Sequence, residues 1–198
     1  MATDSRASMV RSAASLIRSR GVSATSFADV LADSGAPRGS IYHHFPEGKR
    51  QLAEDAIEWT SERVLAHMRA GTPSSPTVVL ERFIDMWRKV VVTSGGTAGC
   101  VVAGVAIDTL TEEAELMGRV RATFRSWAAV LAEQLEAAGV PAQRAKPIGM
   151  AALAGMEGAL ILCRAEGNVK PLDAVAEELM RLLPSKRRAR RKRPVHSS

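Results

Sequence analysis

The sequence predicts an all-α fold, and three observations lead there. Apolar residues recur at steps of three and four through nearly the whole chain. No run of four or more residues alternates apolar and polar as a half-buried strand requires. Gly and Pro clusters punctuate the periodic stretches at intervals that suit short and then longer helices.

The first helix is expected from about Asp4 to Arg20. Asp4 or Ser5 would cap it, Met9, Val10, Ala13, Leu16 and Ile17 share a face, and Gly21 stops it. A second starts at Thr25-Ser26, where Ser26 and Asp29 have capping-box spacing, and ends at Gly35. The third is expected to begin at Pro37, a good first helical residue, and to stop before Pro46. Ile41 and Phe45 on it lie four apart and would face the core. The fourth spans about Lys49 to Arg69 with Leu52, Ala53, Ala56, Ile57, Thr60, Val64 and Met68 as its stripe.

After a break at residues 71–76, Val79, Leu80, Phe83, Ile84, Trp87, Val90 and Val91 mark a fifth helix, closed by Gly95-Gly96. A short apolar piece runs on to Ile107. Leu116, Val120, Phe124, Trp127, Leu131 and Leu135 define the next helix, which ends at Gly139. Residues 148–163 are apolar almost all round and rich in Gly and Ala, which implies contact on more than one side and close helix approach. Leu172, Val175, Ala176, Leu179 and Leu182 then line one face of a last helix.

Composition bounds the function. The chain has 198 residues, 46% hydrophobic and 24% charged, which suffices for a real core in one or two small domains. Its net charge is +6, yet residues 1–50 carry +3, residues 51–185 carry −4 and residues 186–198 carry +7. Aromatics at 4% argue against a surface that grips single strands by base stacking. Cys100 and Cys163 lack CxxC or His spacing, so neither a disulfide framework nor a zinc site is indicated, and a reduced cytoplasm is expected. The apolar stretches Ala98 to Ile107 and Ile148 to Cys163 read as too short to span a bilayer, and no membrane partner is expected. No Ser/His/Asp set, phosphate loop or paired-carboxylate cluster is visible, so no enzymatic role and no cofactor are assigned.

The stretch from Thr25 to Lys49 carries most of the functional information. Two short helices joined at Ser34-Gly35-Ala36 form a helix-turn-helix, whose second helix enters the DNA major groove. With Ile41 and Phe45 turned inward, Arg38, Ser40, Tyr42 and His43 are left to meet DNA, and Gly39 permits close backbone approach. Thr25 and Ser26, beside helix N-terminal amides, make a natural phosphate seat. Lys49 and Arg50 stand where cations oppose the helix dipole, which a nearby phosphate would explain. Each has a plainer reading: Tyr42 as a core cap, Arg38 as a solvated charge. His43-His44 is no metal pair, because adjacent helical residues point apart.

The pattern Arg6, Met9-Val10, Ala13-Ala14, Leu16-Ile17, Gly21, Thr25-Ser26, Val30, Gly35, Gly39 to Phe45 and Lys49 resembles the TetR family of one-component bacterial repressors. The run from Gly35 to Arg50 is similar to its LmrA/YxaF-like subgroup. The resemblance implies DNA contact by Thr25, Ser26, Arg38, Gly39, Ser40, Tyr42, His43 and Lys49. It implies a homodimer on a palindromic double-stranded operator, with half-sites one or more turns of about 34 Å apart. It also implies a small hydrophobic effector in the second domain. Candidate pocket residues are Phe83, Met86, Trp87, Phe124, Trp127, Met150, Met156 and Glu157; the aromatic and Met stripe reads equally well as plain core. Glu157, the lone charge in an apolar helix, needs a ligand, a subunit partner or water. Gly155, Ala159, Leu162, Val175, Leu179 and Leu182 are the candidate dimer interface.

The expected organisation is therefore an N-terminal three-helix helix-turn-helix DNA-binding domain at 1–48 and a C-terminal helical ligand-binding and dimerisation domain at 49–184. A basic tail at 185–198, Lys186 to Arg193 at its centre, is expected to be disordered, adding sequence-independent DNA affinity or nothing.

Overall fold

The computed structural model describes residues 5–109 and 114–184. Among the described residues it is entirely helical: α1 Ser5–Arg20, α2 Phe27–Ser34, α3 Ser40–His44, α4 Lys49–Arg69, α5 Pro76–Ser94, α6 Val101–Asp108, α7 Ala114–Ala137, α8 Ala142–Glu166 and α9 Lys170–Arg181. The basic tail lies outside the described residues.

The short helices at the N-terminal end are set by local chemistry. Ser26 caps α2 in a full capping box: its Oγ accepts from the Asp29 N–H and its own N–H donates to the Asp29 carboxylate. Gly35 closes α2 in the left-handed region at φ 68°, where a side chain would be strained. α3 starts at Ser40, three residues later than expected. The Ser40 N–H and hydroxyl both donate to the Pro37 carbonyl, at 2.9 and 2.6 Å, so Pro37 to Gly39 form a turn ahead of the helix. Pro46 then holds Phe45 at φ −129° and ends α3 after five residues.

One continuous core runs from Met9 in α1 to Leu179 in α9, so the two expected domains share an interior. α4 packs against α1 on one side and α7 on the other. α6 packs on α1 closely enough that a Cβ on Gly104 would come within 3.1 Å of the Ile17 carbonyl oxygen. In the body, Gly149 lets α8 approach α7: a Cβ there would stand 3.2 Å from the Ala128 carbonyl oxygen. The Gly/Ala pattern of α8 thus marks close packing, as its composition suggested.

α8 corrects one expectation. Over 25 residues it is apolar enough, by length and composition, to cross a membrane. In this fold it instead packs against α5, α7 and α9, with Ala145, Ile148, Ala152, Leu153, Met156, Ala159, Leu160 and Cys163 buried.

Candidate DNA-binding face and the cavity behind it

On α3, Ile41 and Phe45 are buried, while Tyr42 is 69% exposed and His43 is exposed beside it. Arg38 and Gly39 are exposed in the preceding turn. The Tyr42 ring is steadied by an edge-on contact with Phe27, centroids 5.6 Å apart, so its hydroxyl is offered outward on a supported ring. Arg38, Gly39, Tyr42 and His43 therefore form one solvent-facing patch, with half-buried Ser40 turned back to Pro37. The rings of His43 and His44 meet edge-on at 5.3 Å, and no acidic or thiol group joins them into a ligand set among the described residues.

Three expected contacts sit differently. Thr25 is buried, and its hydroxyl donates to the Gly21 carbonyl at 2.8 Å, tying down the α1–α2 turn instead of facing outward. The Ser26 hydroxyl and N–H are taken up by the Asp29 carboxylate, at 2.6 and 2.9 Å, an anion from the chain itself at the helix N-terminus. These bonds, with Arg20 at 2.9 Å, hold the Asp29 carboxyl at a pKa of about 2. Lys49 donates from Nζ to the Ser23 carbonyl at 3.0 Å. Its neighbour Arg50 is paired with Glu47, Glu54 and Glu115, so no phosphate is needed to explain it.

The Ser23 turn is gripped from a second side. Its N–H donates to the Asp108 carboxylate at the end of α6, at 2.5 Å. At the other end of α6 the Gly99 N–H donates to the Arg18 carbonyl at 2.8 Å. α6 is thus latched to α1 and to the α1–α2 turn at both ends.

A cavity of about 450 Å³ lies where α1, α4 and α5 meet the start of α6. Of the expected pocket residues only Met86 and Trp87 line it. Phe83, Phe124 and Trp127 belong to an edge-on aromatic chain through the core, in which Trp87 and Trp127 centroids lie 6.1 Å apart and the Trp127 Nε1–H donates to Ser61. Met156 is buried in α8, and Met150 is 53% exposed on its opposite face. Trp59, Arg11, Arg18, Arg63, Lys89 and Cys100 also belong to the wall and carried no sequence signal, because their elements meet only on folding.

Glu157 sits behind Cys100, off the cavity wall, and among the described residues neither carboxyl oxygen has a hydrogen-bond partner. Burial pushes its pKa up to about 7. The Cys100 thiol in turn is raised well above its usual value by burial and by Glu157, which keeps it protonated and poorly nucleophilic.

Of the expected dimer residues, Gly155, Ala159, Val175 and Leu179 are used within the chain. A Cβ on Gly155 would stand 3.2 Å from Val175 and 3.6 Å from Leu179, and Ala159 is buried. Leu162 and Leu182 remain exposed. With Met150, Ala154, Gly158 and Ile161, Leu162 continues an exposed apolar stripe along α8 that the sequence did not separate from the buried one.

Comparison with known proteins agrees with this geometry. Residues 10–56 match the model for bacterial regulatory proteins of the tetR family, and residues 76–178 match the C-terminal domain of LmrA/YxaF-like transcriptional regulators. The chain is 37% identical over 183 residues to the HTH-type transcriptional regulator Rv0196 of Mycobacterium tuberculosis, covering 90% of this chain and 93% of that one. It is 29% identical over 173 residues to the HTH-type transcriptional regulator LmrA of Bacillus subtilis, covering 85% and 91%. A TetR transcriptional regulator from Legionella pneumophila, 20% identical, superposes with a TM-score of 0.81 over 92% of this chain and 98% of that one.

Proposed function

The chain belongs to the TetR family of DNA-binding transcriptional regulators, with a C-terminal domain of the LmrA/YxaF-like kind, and from that premise we propose that it is a homodimeric repressor released from a palindromic operator by a small molecule. Residues 1–48 are the reading head and 49–184 the ligand-binding and dimerising body. The observation that carries the reading is the outward patch of Arg38, Gly39, Tyr42 and His43 opposite the buried pair Ile41 and Phe45. Arg38 suits guanine or phosphate, Tyr42 a phosphate or a thymine methyl, and Gly39 close approach to the backbone.

Dimerisation is supported by the exposed stripe of α8. An apolar face of this length is costly in water, and Ala154 and Gly158 leave room for a partner helix to come close. Response to a ligand is supported by the placement of the cavity. Gly99, Cys100 and Val101 line it, and α6 running from them is latched to Arg18 and Ser23 on the reading head. A ligand that shifts α6 changes the angle of the head, and it needs only about 1–3 kcal/mol of differential affinity between the two states.

The test selects a bound sequence from random DNA and compares the wild type with Arg38→Ala and Tyr42→Ala in gel shift. Both variants are expected to lose specific binding and keep their helicity. Unchanged operator affinity in both would overturn the reading surface.

A further inference from the structure

The chemistry of the junction cavity is lopsided. No acidic side chain lines it among the described residues, while Arg11, Arg18, Arg63 and Lys89 do, and none of the four has a carboxylate within ion-pair distance there. Arg63 lies over the Trp59 ring, 4.8 Å from its centroid, and Arg11 donates to the Ser8 hydroxyl. Two buried polar atoms of the wall lack hydrogen-bond partners, the Arg18 Nε–H and the Trp87 Nε1–H. Both are donors. Leaving a buried donor unpaired is costly, most of all on a charged group, so an acceptor brought to these two groups would be favoured. Trp59, Val64, Met86, Trp87 and Val90 give the wall an apolar and aromatic side, with the uncharged hydroxyls of Ser15, Thr60 and Thr93 and the His67 ring beside it.

We infer that the cavity takes an amphiphilic anion, whose aromatic or aliphatic body packs between Trp59, Met86, Trp87 and Val90 and whose oxyanion accepts from Arg18 and Trp87. Arg11, Arg63 and Lys89, exposed at the mouth, attract the charge before it enters. A volume of about 450 Å³ suits a molecule of two or three rings or the equivalent chain. This inference rests on the proposal that the cavity is the effector site, and it sharpens the expected hydrophobic effector into one carrying negative charge. Arg11 and Arg18 belong to α1, so the ligand touches the reading head directly as well as through α6.

The experiment titrates the full-length protein with two fluorescent probes of matched body. One is 1-anilinonaphthalene-8-sulfonate; the other is N-phenyl-1-naphthylamine, which lacks the sulfonate. The wild type is expected to bind the sulfonate about tenfold tighter or more, the difference a charge-assisted hydrogen bond to a half-buried guanidinium provides. Arg18→Gln should lower sulfonate affinity by a similar factor and leave the neutral probe within about threefold. Arg63→Gln, at an exposed site that does not endanger folding, should weaken the sulfonate several-fold at low salt and less at high salt. Val90→Trp, which fills the cavity, should weaken both probes. Equal binding of the two probes by the wild type, sulfonate binding indifferent to both arginine variants, or sulfonate binding that survives Val90→Trp would each overturn the inference. Gel shift on the same samples separates the two levels of the argument. Intact operator binding with a failed charge dependence sinks the ligand class alone, whereas charge-dependent binding that never releases operator sinks the effector reading.

Discussion

The reading head and the junction behind it treat their polar side chains in opposite ways. In the head, Ser12 donates to the Val30 carbonyl, Thr25 to Gly21, Ser40 to Pro37, and Ser26 and Asp29 satisfy one another. Where the head meets the body, Arg18 Nε on the body-facing side of α1, Trp87 Nε1 and both Glu157 oxygens are left without partners among the described residues. A finished hydrogen-bond network gives one low-energy arrangement, which suits a surface that must present Arg38 and Tyr42 in fixed register. An unfinished one leaves stabilisation to be supplied from outside or by a change of protonation. On the proposed reading, the regulator keeps its adjustable free energy next to the lever and away from the DNA-reading face.

The comparison can be broken most forcefully at the head. Replacing Tyr42 and Arg38 together by Ala should reduce operator affinity by about 2–6 kcal/mol, since each groove or phosphate contact is worth roughly 1–3 kcal/mol. Both residues are exposed, so the melting temperature should stay nearly constant. A large drop in melting temperature would mean the patch is part of the fold's support.

Glu157 sharpens the junction side. Its folded pKa of about 7 lies above the ordinary value of 4.5, so between those values the folded state holds a proton that the unfolded state has lost. Stability is then full below about pH 4.5 and falls as pH rises to about 7, by about 2–3 kcal/mol over that window. Glu157→Gln should remove this slope and raise stability at pH 8, as measured by denaturant unfolding across pH. A slope that persists in the variant would assign it elsewhere. The opposite sign holds for Asp29. Its contribution, present above its unfolded pKa, disappears as pH falls through about 2, so Ser26→Ala should mainly alter acid unfolding.

Thr25→Val tests whether the head is as finished as it looks. Loss of the buried bond to Gly21 should cost about 1–2 kcal/mol of stability and leave operator affinity, compared at equal folded fraction, almost unchanged. A specific binding loss without destabilisation would return Thr25 to the DNA-contacting set. The smallest expected effect on specific affinity comes from deleting residues 186–198. That change removes seven positive charges, so the salt slope of binding should become shallower and background affinity for random DNA should fall. If specific binding vanished as well, the tail would be the DNA-binding element and the head a scaffold.

Legibility in the sequence followed the range of the interactions involved. The capping box of Ser26 and Asp29, the stop at Gly35 and the inward pair Ile41 and Phe45 span three or four residues each, and all were readable. The start of α3 was placed at Pro37 because proline favours a first helical turn. The Ser40 side chain competes for that turn by bonding back to the Pro37 carbonyl, which delays the helix. Lys49 and Arg50 looked like phosphate seekers because their partners are remote: the Ser23 carbonyl is 26 positions away and Glu115 is 65. The pocket was sought along the aromatic stripe of α5 and α7, where rings at helical spacing pack against each other and close the space.

By itself the sequence determined the helical fold, the helix-turn-helix and its outward residues Arg38, Gly39, Tyr42 and His43, because hydrophobic period, caps and turn residues act within a few positions. Tertiary structure alone decided the rest. It sent Thr25 inward, divided α8 into a buried face and an exposed one, joined Asp108 to Ser23 across 85 positions, and gathered cations from α1, α4 and α5 around one cavity. The physical reason is that a side chain's periodicity says which face it occupies, while its partner is chosen by how the helices cross.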